Sequence, residues 1–418
     1  RDVSAPVLPE PIPLPGVAIY ILVMEVVLGI GNPEEISKSF MNDAVFFIMG
    51  SLMLAVAIVQ QGWDKRIALG IIRLTGNKTK NIVFGFTAIS AIMSSFIGEH
   101  TVAAIMLPIA MTLIKFTSED GEKVHGLSAV LLFSIAYGCL IGSIGTPSGG
   151  GRNVIIISYL QDINISISYL NWMILVYPLV LILIPIVSWI LVKSFSPEYD
   201  RLDTGVRKLV VQVAKSPELT GRNTLAVFIF FLVFLGWVFL SETLGLGIIA
   251  LAGVLMYLIA GFVKWEDLSR NTHWGVIILF GSTISLGANI KGTGAAFWLA
   301  NKVIYVFGSL MEMFPFFTDT IIVIMTTTMA NVLSSSATVA VLGPITMNMG
   351  TDSLHLGMVT ALASAFGFFT VVAAPACTII YSSGLVTAKE FLKAGWRVGI
   401  TCIVLLITYT NTYWMVFK

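Results

Sequence analysis

The sequence predicts an all-α polytopic membrane protein, and three observations carry this prediction. Of the 418 residues, 56% are hydrophobic and only 11% are charged, whereas about 25% of residues are charged in an average soluble domain. Several apolar stretches have the roughly 20 residues that a helix needs to cross a hydrocarbon core about 30 Å thick. Four further apolar stretches are interrupted by glycine, proline or polar residues, which indicates hairpins and broken helices.

The composition also excludes several kinds of protein. A net charge of +1, with no block of basic residues, gives no electrostatic support for a nucleic-acid partner. Cys139, Cys377 and Cys402 lie in apolar segments without metal-type spacing, so we expect buried thiols. The chain opens with a proline-rich approach to the first span and has no signal-peptide pattern, so we expect the numbering to begin part-way into a longer protein.

Uninterrupted spans are predicted wherever an apolar stretch has about the length of one crossing. They are residues 15–30, 44–63, 172–195, 224–241, 248–263, 275–290 and 398–417. The first of these stretches is short.

Two apolar stretches are too long for one span and too short for two. Residues 82–114 are interrupted at SSFIGEH, and residues 320–347 are interrupted at ANVLSSSAT. A re-entrant hairpin, which enters and leaves the membrane on the same side, fits both lengths.

Two other stretches are predicted to be spans that are broken in the middle. Residues 131–159 are interrupted by IGTPSGGGRN, and residues 358–382 by VVAAPACT, where proline and glycine break the helical hydrogen bonds. Non-helical backbone at membrane depth persists only where it is buried in protein or lines a watery cavity. The two hairpin tips and the two breaks are therefore expected to share one site.

The two halves of the chain repeat one another. A Gly-Ser pair, a hairpin tip and the proline of a broken span recur in the second half, in the same order and at nearly constant spacing. The matching positions are Gly50-Ser51 with Gly281-Ser282, His100 with Ser336, and Pro147 with Pro375. Paired interrupted segments in two halves are typical of a secondary transporter whose site lies near the bilayer midplane.

Loop charges predict the orientation of the two halves. When both hairpins are re-entrant, nearly all loop Lys and Arg residues fall on one side, which the positive-inside rule assigns to the cytoplasm. The two halves then enter the membrane in opposite directions, so the repeat is inverted. The first hairpin opens from the cytoplasm and the second from outside.

These assignments divide the chain into five regions. They are residues 1–80, the scaffold helices of the first repeat; 81–159, its transport unit; 160–317, scaffold helices with a cytoplasmic connector at 196–222 and the start of the second repeat; 318–384, the second transport unit; and 385–418, the C-terminal helix. The stretches 64–74 and 294–304 are amphipathic enough to lie at the membrane interface.

Three longer strings resemble a known family. WEDLSRNTHWGVIILFGSTISLGANI, SSSATVAVLGPI and KEFLKAG, with the two proline-centred breaks, resemble the divalent anion/sodium symporter family of dicarboxylate, citrate and sulfate carriers. The resemblance runs from about residue 11 to the end. It implies that hairpin tips and breaks together hold sodium ions and the carboxylates of the substrate. It also implies a homodimer that moves a transport domain against a fixed scaffold, an elevator motion.

At all four interruptions the residues of this chain differ from those typical of the family. Family members carry Ser-Asn-Thr at the tips and Thr-Pro-Pro-Asn, or a close variant, at the breaks. Here the tips are Gly98-Glu99-His100 and Ser334-Ser335-Ser336, and the breaks are Thr146-Pro147-Ser148, followed by GGGRN, and Ala374-Pro375-Ala376-Cys377.

The first break is the predicted anion contact. The half-helix that follows it exposes unpaired N–H groups and the positive end of its dipole, and Arg152 adds a guanidinium whose planar fork suits carboxylate, sulfate or phosphate. The alternative is that Arg152 reaches an interface or pairs with a nearby carboxylate. The predicted substrate-binding residues are Thr146, Pro147, Ser148, Gly150, Gly151, Arg152, Asn153, Ser335, Ser336, Pro375, Ala376 and Cys377.

Glu99 and His100 form a charged pair at membrane depth, where charges are costly and usually functional. One alternative is an ion pair between Glu99 and Arg152. A second is that Glu99 or His100 takes up a proton in each cycle. A third is direct contact with a cation or with the substrate.

The second tip is the predicted sodium site. The hydroxyl groups of Ser334, Ser335, Ser336 and Thr338 and unwound carbonyls near Ala374 offer the oxygen ligands that hard cations prefer. The alternative is that small residues merely allow close helix packing. The residues expected to couple transport to an ion or proton are Glu99, His100, Ser334, Ser335, Thr338 and Ala374, with Ser334 and Ser335 as direct sodium ligands.

The sequence therefore predicts secondary active transport of a small anion, a di- or tricarboxylate or a related compound, coupled to sodium or protons. One alternative function is a carrier of an inorganic oxyanion, sulfate or phosphate, or an anion exchanger. A remote alternative is an intramembrane enzyme with Glu99 and His100 as acid and base. No cofactor is expected apart from sodium ions, and the expected partners are the anion, the lipid of a plasma (inner) membrane and a second copy of the chain. His125, His273 and His355 are expected to be solvated.

Overall fold

Helices make up 81% of the structure, a computed structural model that describes residues 14–61, 70, 75–117, 125–214, 221–371 and 373–417. Within those ranges, paired extended backbone is limited to an isolated bridge between Lys78 and Arg201. The prediction of an all-α membrane protein is confirmed.

The first half of the chain alternates long apolar helices with short interruptions. Its helices are α1 (Leu14–Val27), α2 (Pro33–Phe40), α3 (Asp43–Val59), α4 (Thr79–Ile97), α5 (Glu99–Thr117), α6 (His125–Gly142), α7 (Gly151–Gln161) and α8 (Tyr169–Phe195). A 3-10 turn, Pro147–Gly149, lies between α6 and α7. Two further helices, α9 (Asp203–Ala214) and α10 (Gly221–Leu244), connect the halves.

Among the described residues, the second half follows the same order of elements with one additional helix, α14 (Ala295–Met313). Its helices are α11 (Leu246–Ile259), α12 (Trp265–Asn271), α13 (Trp274–Gly292), α14, α15 (Pro315–Val332), α16 (Ser335–Thr346), α17 (Ser353–Ala363), α18 (Pro375–Tyr381) and α19 (Ala388–Thr410). A second 3-10 turn, Trp414–Phe417, follows α19.

The internal duplication is confirmed and extends further than the sequence matches indicated. α1 begins at Leu14 and α11 at Leu246, a separation close to that of the matching sequence positions, and α5 and α16 are related in the same way. Each repeat contains a short helix bent against a long one, by 41° between α2 and α3 and by 63° between α12 and α13. The repeats interlock, because α1 packs on α13 and α11 packs on α3.

Both hairpins are present, although the length argument for the first one was wrong. Its legs α4 and α5 have 19 residues each and are long and apolar enough to cross a membrane. The chain reverses at Gly98, whose φ of +84° favours glycine, and the tip ends inside the protein, with Glu99 only 7% exposed. The second hairpin reverses between α15 and α16, where the hydroxyl of Ser334 caps α16 by accepting from the N–H of Ala337 at 3.2 Å.

Both broken helices are present as well. α6 ends at Gly142 and α7 begins at Gly151, while α17 ends at Ala363 and α18 begins at Pro375, a residue that favours the first turn of a helix. α6 packs closely on α4, since a Cβ atom at Gly142 would overlap the carbonyl oxygen of Ala91. Glycine at this position thus brings the first broken helix directly against the first hairpin.

Of the two predicted interfacial stretches, only the second falls entirely within the described residues. Residues 64–74 lie outside the described residues, apart from residue 70. Residues 294–304 cover the N-cap and the first half of α14, where Phe297 and Trp298 are each 60% exposed. The interfacial position of this helix and the division into five regions stay predictions.

Candidate functional site

A cavity of about 320 Å³, the central cavity, lies where the two hairpin tips meet the two broken helices. Predicted site residues from all four interruptions line it: Glu99, His100, Pro147, Ser148, Gly150, Gly151, Arg152, Ser334, Ser335, Ser336 and Pro375. The other predicted site residues are buried behind this wall: Thr146, Asn153, Thr338, Ala374, Ala376 and Cys377. The four interruptions therefore surround a single cavity.

Arg152 lies at the first junction, where the first hairpin tip meets the first break. Its side chain is 1% exposed, and Nη1 and Nη2 each lie 3.4 Å from Oε2 of Glu99. The guanidinium also donates to the hydroxyl of Ser143, while its Nε atom is buried without a partner. Arg152 therefore pairs with a carboxylate and does not reach for a membrane interface.

Glycine residues at the first break let other groups lie directly on the backbone. A Cβ atom at Gly150 would be 3.3 Å from Cζ of Arg152, and one at Gly151 would overlap the ring of Phe280 from α13. The groups that approach Gly150 and Gly151 closely are thus the protein's own side chains.

Two of the predicted substrate ligands hold the shape of the first break. The Nδ2 group of Asn153 donates to the carbonyl oxygens of Ser143 and Thr146 at 2.8 Å each. The hydroxyl of Thr146 donates to the carbonyl oxygen of Ser95 in α4. These bonds pair unwound backbone that is buried away from water, where an unpaired polar group is costly.

At the second junction, hydroxyl, amide and carbonyl groups join the second tip to the second break. The N–H and the hydroxyl of Ser335 both donate to the carbonyl oxygen of Ala373 at 3.1 Å. The side chain of Asn331 donates to the carbonyl oxygen of Phe366 at 3.2 Å and accepts from the N–H of Phe369 at 2.8 Å. Asn331, just before the tip, therefore connects the second hairpin to the second break.

The predicted sodium ligands keep oxygen lone pairs. The Ser334 hydroxyl caps α16, and the Ser335 hydroxyl donates to a carbonyl. The Thr338 hydroxyl is buried and has no hydrogen-bond partner. Because a hydroxyl oxygen has two lone pairs, each of these three hydroxyls still has a lone pair that can coordinate a cation.

His100 has a neighbour that the sequence did not predict. Its ring packs edge-on against His273, with ring centroids 5.9 Å apart, and its Nε2 atom is buried without a partner. His273 is exposed as predicted, but it lines the central cavity. Within the described ranges, no group of three His, Cys, Asp or Glu side chains is arranged to hold a metal ion.

The remaining histidines lie away from the cavity. The prediction for His355 was wrong, because its Nε2 atom lies 2.9 Å from both carboxylate oxygens of Asp319 and its side chain is only 12% exposed. His125 is 63% exposed and pairs with Glu390 at 3.0 Å, so it is solvated as predicted.

Sequence reasoning missed the scaffold side of the cavity. Phe47, Ser51 and Leu52 from α3 and Phe280 from α13 line this side. Of these, only Ser51 left a signal, as part of a Gly-Ser pair that recurs in both halves. Aromatic and aliphatic residues within apolar helices carry no pattern that separates a cavity wall from a lipid-facing surface.

Comparison with known families agrees with this geometry. The family model described as the sodium:sulfate symporter transmembrane region matches residues 6–418. The chain belongs to this family. The resemblance to divalent anion/sodium symporters is confirmed, and this sodium:sulfate symporter family member is a multi-pass integral membrane protein of the transporter class, not an enzyme.

Relatives of this sodium:sulfate symporter family member match over most of their own length. An uncharacterized transporter of Haemophilus influenzae is 27% identical over 415 residues, covering 95% of this chain and 87% of that protein. The sodium-dependent high-affinity dicarboxylate transporter 3 of Caenorhabditis elegans is 25% identical over 456 residues, covering 96% and 80%. The crystal structure of the Alcanivorax borkumensis YdaH transporter matches with a TM-score of 0.61 at 14% identity, covering 93% of this chain and 88% of that one. The likeness to YdaH shows the fold alone.

Proposed function

We propose that this chain carries a small carboxylate anion, most simply a dicarboxylate, together with sodium through the central cavity by alternating access. The observation that carries the proposal is Arg152, a buried guanidinium on the wall of a cavity where both tips and both breaks meet. A relative at 25% identity is named as a sodium-dependent dicarboxylate transporter, which supports the same substrate class and coupling ion here.

The first break offers several groups that suit an anion. α7 starts at Gly151 on the cavity wall, so its first N–H groups and its dipole give a positive potential there. Nη1 and Nη2 of Arg152 each lie 3.4 Å from Oε2 of Glu99. This distance is long for a charge-assisted hydrogen bond, which is ordinarily about 2.7–2.9 Å. An incoming carboxylate can therefore take over these donors from Glu99.

This exchange of partners explains the need for a coupling ion. When the anion pairs with Arg152, the buried Glu99 loses its counter-charge, which is unfavourable unless a cation approaches or Glu99 takes up a proton. Sodium at the second junction supplies that charge, with the hydroxyls of Ser335 and Thr338 as candidate ligands. Sodium is the preferred coupling ion, and proton uptake by Glu99 is the alternative.

The moving part in this proposal comprises the hairpins and broken helices, residues 81–159 and 318–384. One side of the central cavity comes from these segments and the other from α3 and α13, so the cavity lies at the boundary between a transport unit and a scaffold. An elevator motion of the transport unit within a homodimer fits this arrangement.

Sulfate is the second candidate substrate. The planar guanidinium fork suits sulfate as well as carboxylate, and the description of the family names sulfate. The cavity chemistry at Arg152 is the same for both anions.

Uptake into proteoliposomes tests the proposal and separates the two anions. The protein should accumulate labelled succinate under an inward sodium gradient, and it should not accumulate labelled sulfate. Arg152→Gln should lower uptake about tenfold to 100-fold, because it removes hydrogen bonds to a charged group, while Arg152→Lys should retain part of it. Full uptake by Arg152→Gln would show that Arg152 does not bind the anion. Uptake of sulfate in place of succinate would show that the substrate is an inorganic oxyanion.

A further inference from the structure

Buried polar atoms without hydrogen-bond partners mark a second set of contacts in the central cavity. Folded proteins contain few such atoms, and each calls for a ligand, a water molecule or a functional role. Among the described residues of the cavity wall, three carry one: the hydroxyl of Ser51, Nε2 of His100 and Nε of Arg152. The function proposed above uses the guanidinium of Arg152 and leaves the Ser51 and His100 atoms without a partner.

The internal repeat provides a built-in comparison for Ser51. Its counterpart in the second half, Ser282 in α13, donates its hydroxyl to the carbonyl oxygen of Leu279 within the same helix at 2.9 Å. A serine in a helix ordinarily has such a carbonyl within reach. Ser51 makes no such bond, and it lines the central cavity with its hydroxyl unpaired.

The position of Ser51 is fixed by the packing of its helix. A Cβ atom at Gly50 would lie 2.6 Å from that of Ala250, so α3 and α11 are in close contact immediately beside Ser51. A hydroxyl on such a rigid element is preorganised for a ligand, because little conformational entropy is lost when it binds.

His100 contributes the second unpaired atom from the tip of the first hairpin. Its ring is supported edge-on by His273, and a neutral imidazole nitrogen can donate a hydrogen bond to an anion oxygen. Ser51 belongs to the scaffold and His100 to the first tip, whereas Arg152 belongs to the first break. The unpaired atoms thus come from three different elements around one cavity.

We propose that Ser51 and His100 form a second subsite of the central cavity, which binds the acceptor oxygens of the anion that Arg152 does not hold. The proposal rests on the function proposed above and assigns the far end of the substrate partly to a scaffold helix. An anion with oxygens at both ends engages both subsites, whereas a monocarboxylate of the same length engages Arg152 alone. Ser51 is therefore a specificity-determining residue.

Binding to the purified protein tests this subsite independently of transport. The probes are succinate and butyrate, acids of equal chain length with two and one carboxylates, each titrated in the presence of sodium. In Ser51→Ala the Kd for succinate should rise about tenfold through the loss of a hydrogen bond to a charged group, while that for butyrate should not change. Ser51→Thr, which keeps the hydroxyl, should restore succinate binding.

Ser282→Ala is the matched control, because its hydroxyl is bonded within its own helix, and it should leave both affinities unchanged. Succinate affinity that is unchanged in Ser51→Ala but lost in Arg152→Gln would overturn the subsite and leave the proposed function standing. Affinity unchanged in both variants, or no succinate binding by the wild-type protein, would overturn both. An equal loss for succinate and butyrate in Ser51→Ala would reduce Ser51 to a general structural role and overturn the specificity claim.

Discussion

The two junctions of the central cavity hold equivalent places in the repeat but differ in chemistry. The first contains a buried ion pair between Glu99 and Arg152 beside a run of glycines. At the second, the hydroxyl and N–H of Ser335 bond to the carbonyl of Ala373. The two copies of the repeat can thus share one backbone arrangement while one copy carries the guanidinium of Arg152 and the other offers oxygen ligands for a sodium ion.

The half-helices that follow the two breaks show the same contrast. α7 has 11 residues and begins within the glycine run, whereas α18 has seven residues. In the register that matches Pro147 with Pro375, the place of Gly151 is taken in the second half by Ile379, whose side chain lines the cavity. The first junction therefore combines the positive end of a helix with the buried guanidinium of Arg152, which supports assigning the anion to that side.

Removal of the guanidinium at the first junction should have the largest effect on stability and uptake. Arg152→Gln leaves the buried Glu99 unpaired, which should lower the free energy of unfolding by about 3–5 kcal/mol. The double variant Arg152→Gln with Glu99→Gln should recover most of this stability but not the uptake. Thermal unfolding in detergent and succinate uptake measure the two effects, and a double variant with normal uptake would show that the first junction does not contact the anion.

A side chain added at the first break should have an intermediate effect. In Gly151→Ala the new Cβ atom overlaps the ring of Phe280, so we expect a loss of about 1–3 kcal/mol in unfolding free energy. The loss should be much smaller in a Phe280→Ala background, as a double-mutant cycle would show. Ile379→Gly, the reverse change at the second junction, should not strengthen succinate binding; if it did, the two junctions would be equivalent.

Loss of a single hydroxyl at the second junction should have the smallest effect on stability and uptake. Thr338→Val removes a buried hydroxyl without a partner, so stability should hold while the sodium concentration for half-maximal uptake rises about tenfold. Thr326→Val, at another buried unpaired hydroxyl outside the cavity wall, is the matched control. An unchanged sodium dependence in Thr338→Val would exclude Thr338 from the coupling site.

Much of the fold could be predicted because its signals are local. Apolar length locates helices, and proline and glycine locate interruptions, so both hairpins and both broken helices were found from the sequence. The pairing of Glu99 with Arg152 was one of the alternatives considered, because a buried charge needs a partner. The extension of the repeat to α1 and α11 was missed, since these helices share a position but little sequence.

The details of the site depend on tertiary contacts that no local pattern records. Thr146 and Asn153 look like ligands in the sequence but bond to nearby carbonyls behind the wall. His355 looks solvated but pairs with Asp319, which lies in a different helix. Ser51 and Ser282 each follow a glycine within an apolar helix, and that shared pattern does not show which hydroxyl stays unpaired at the cavity.

The most direct measurement is protection of cysteines placed on the two halves of the cavity. Ser148→Cys on the first break and Ser336→Cys on the second tip would be made singly in a protein without Cys139, Cys377 and Cys402, which are all buried. The rate of thiol modification would be followed against succinate concentration at fixed sodium. If all four interruptions form one substrate site, both cysteines should be protected with the same half-maximal succinate concentration. Protection of only one cysteine, or half-maximal concentrations that differ more than about tenfold, would contradict a single shared site.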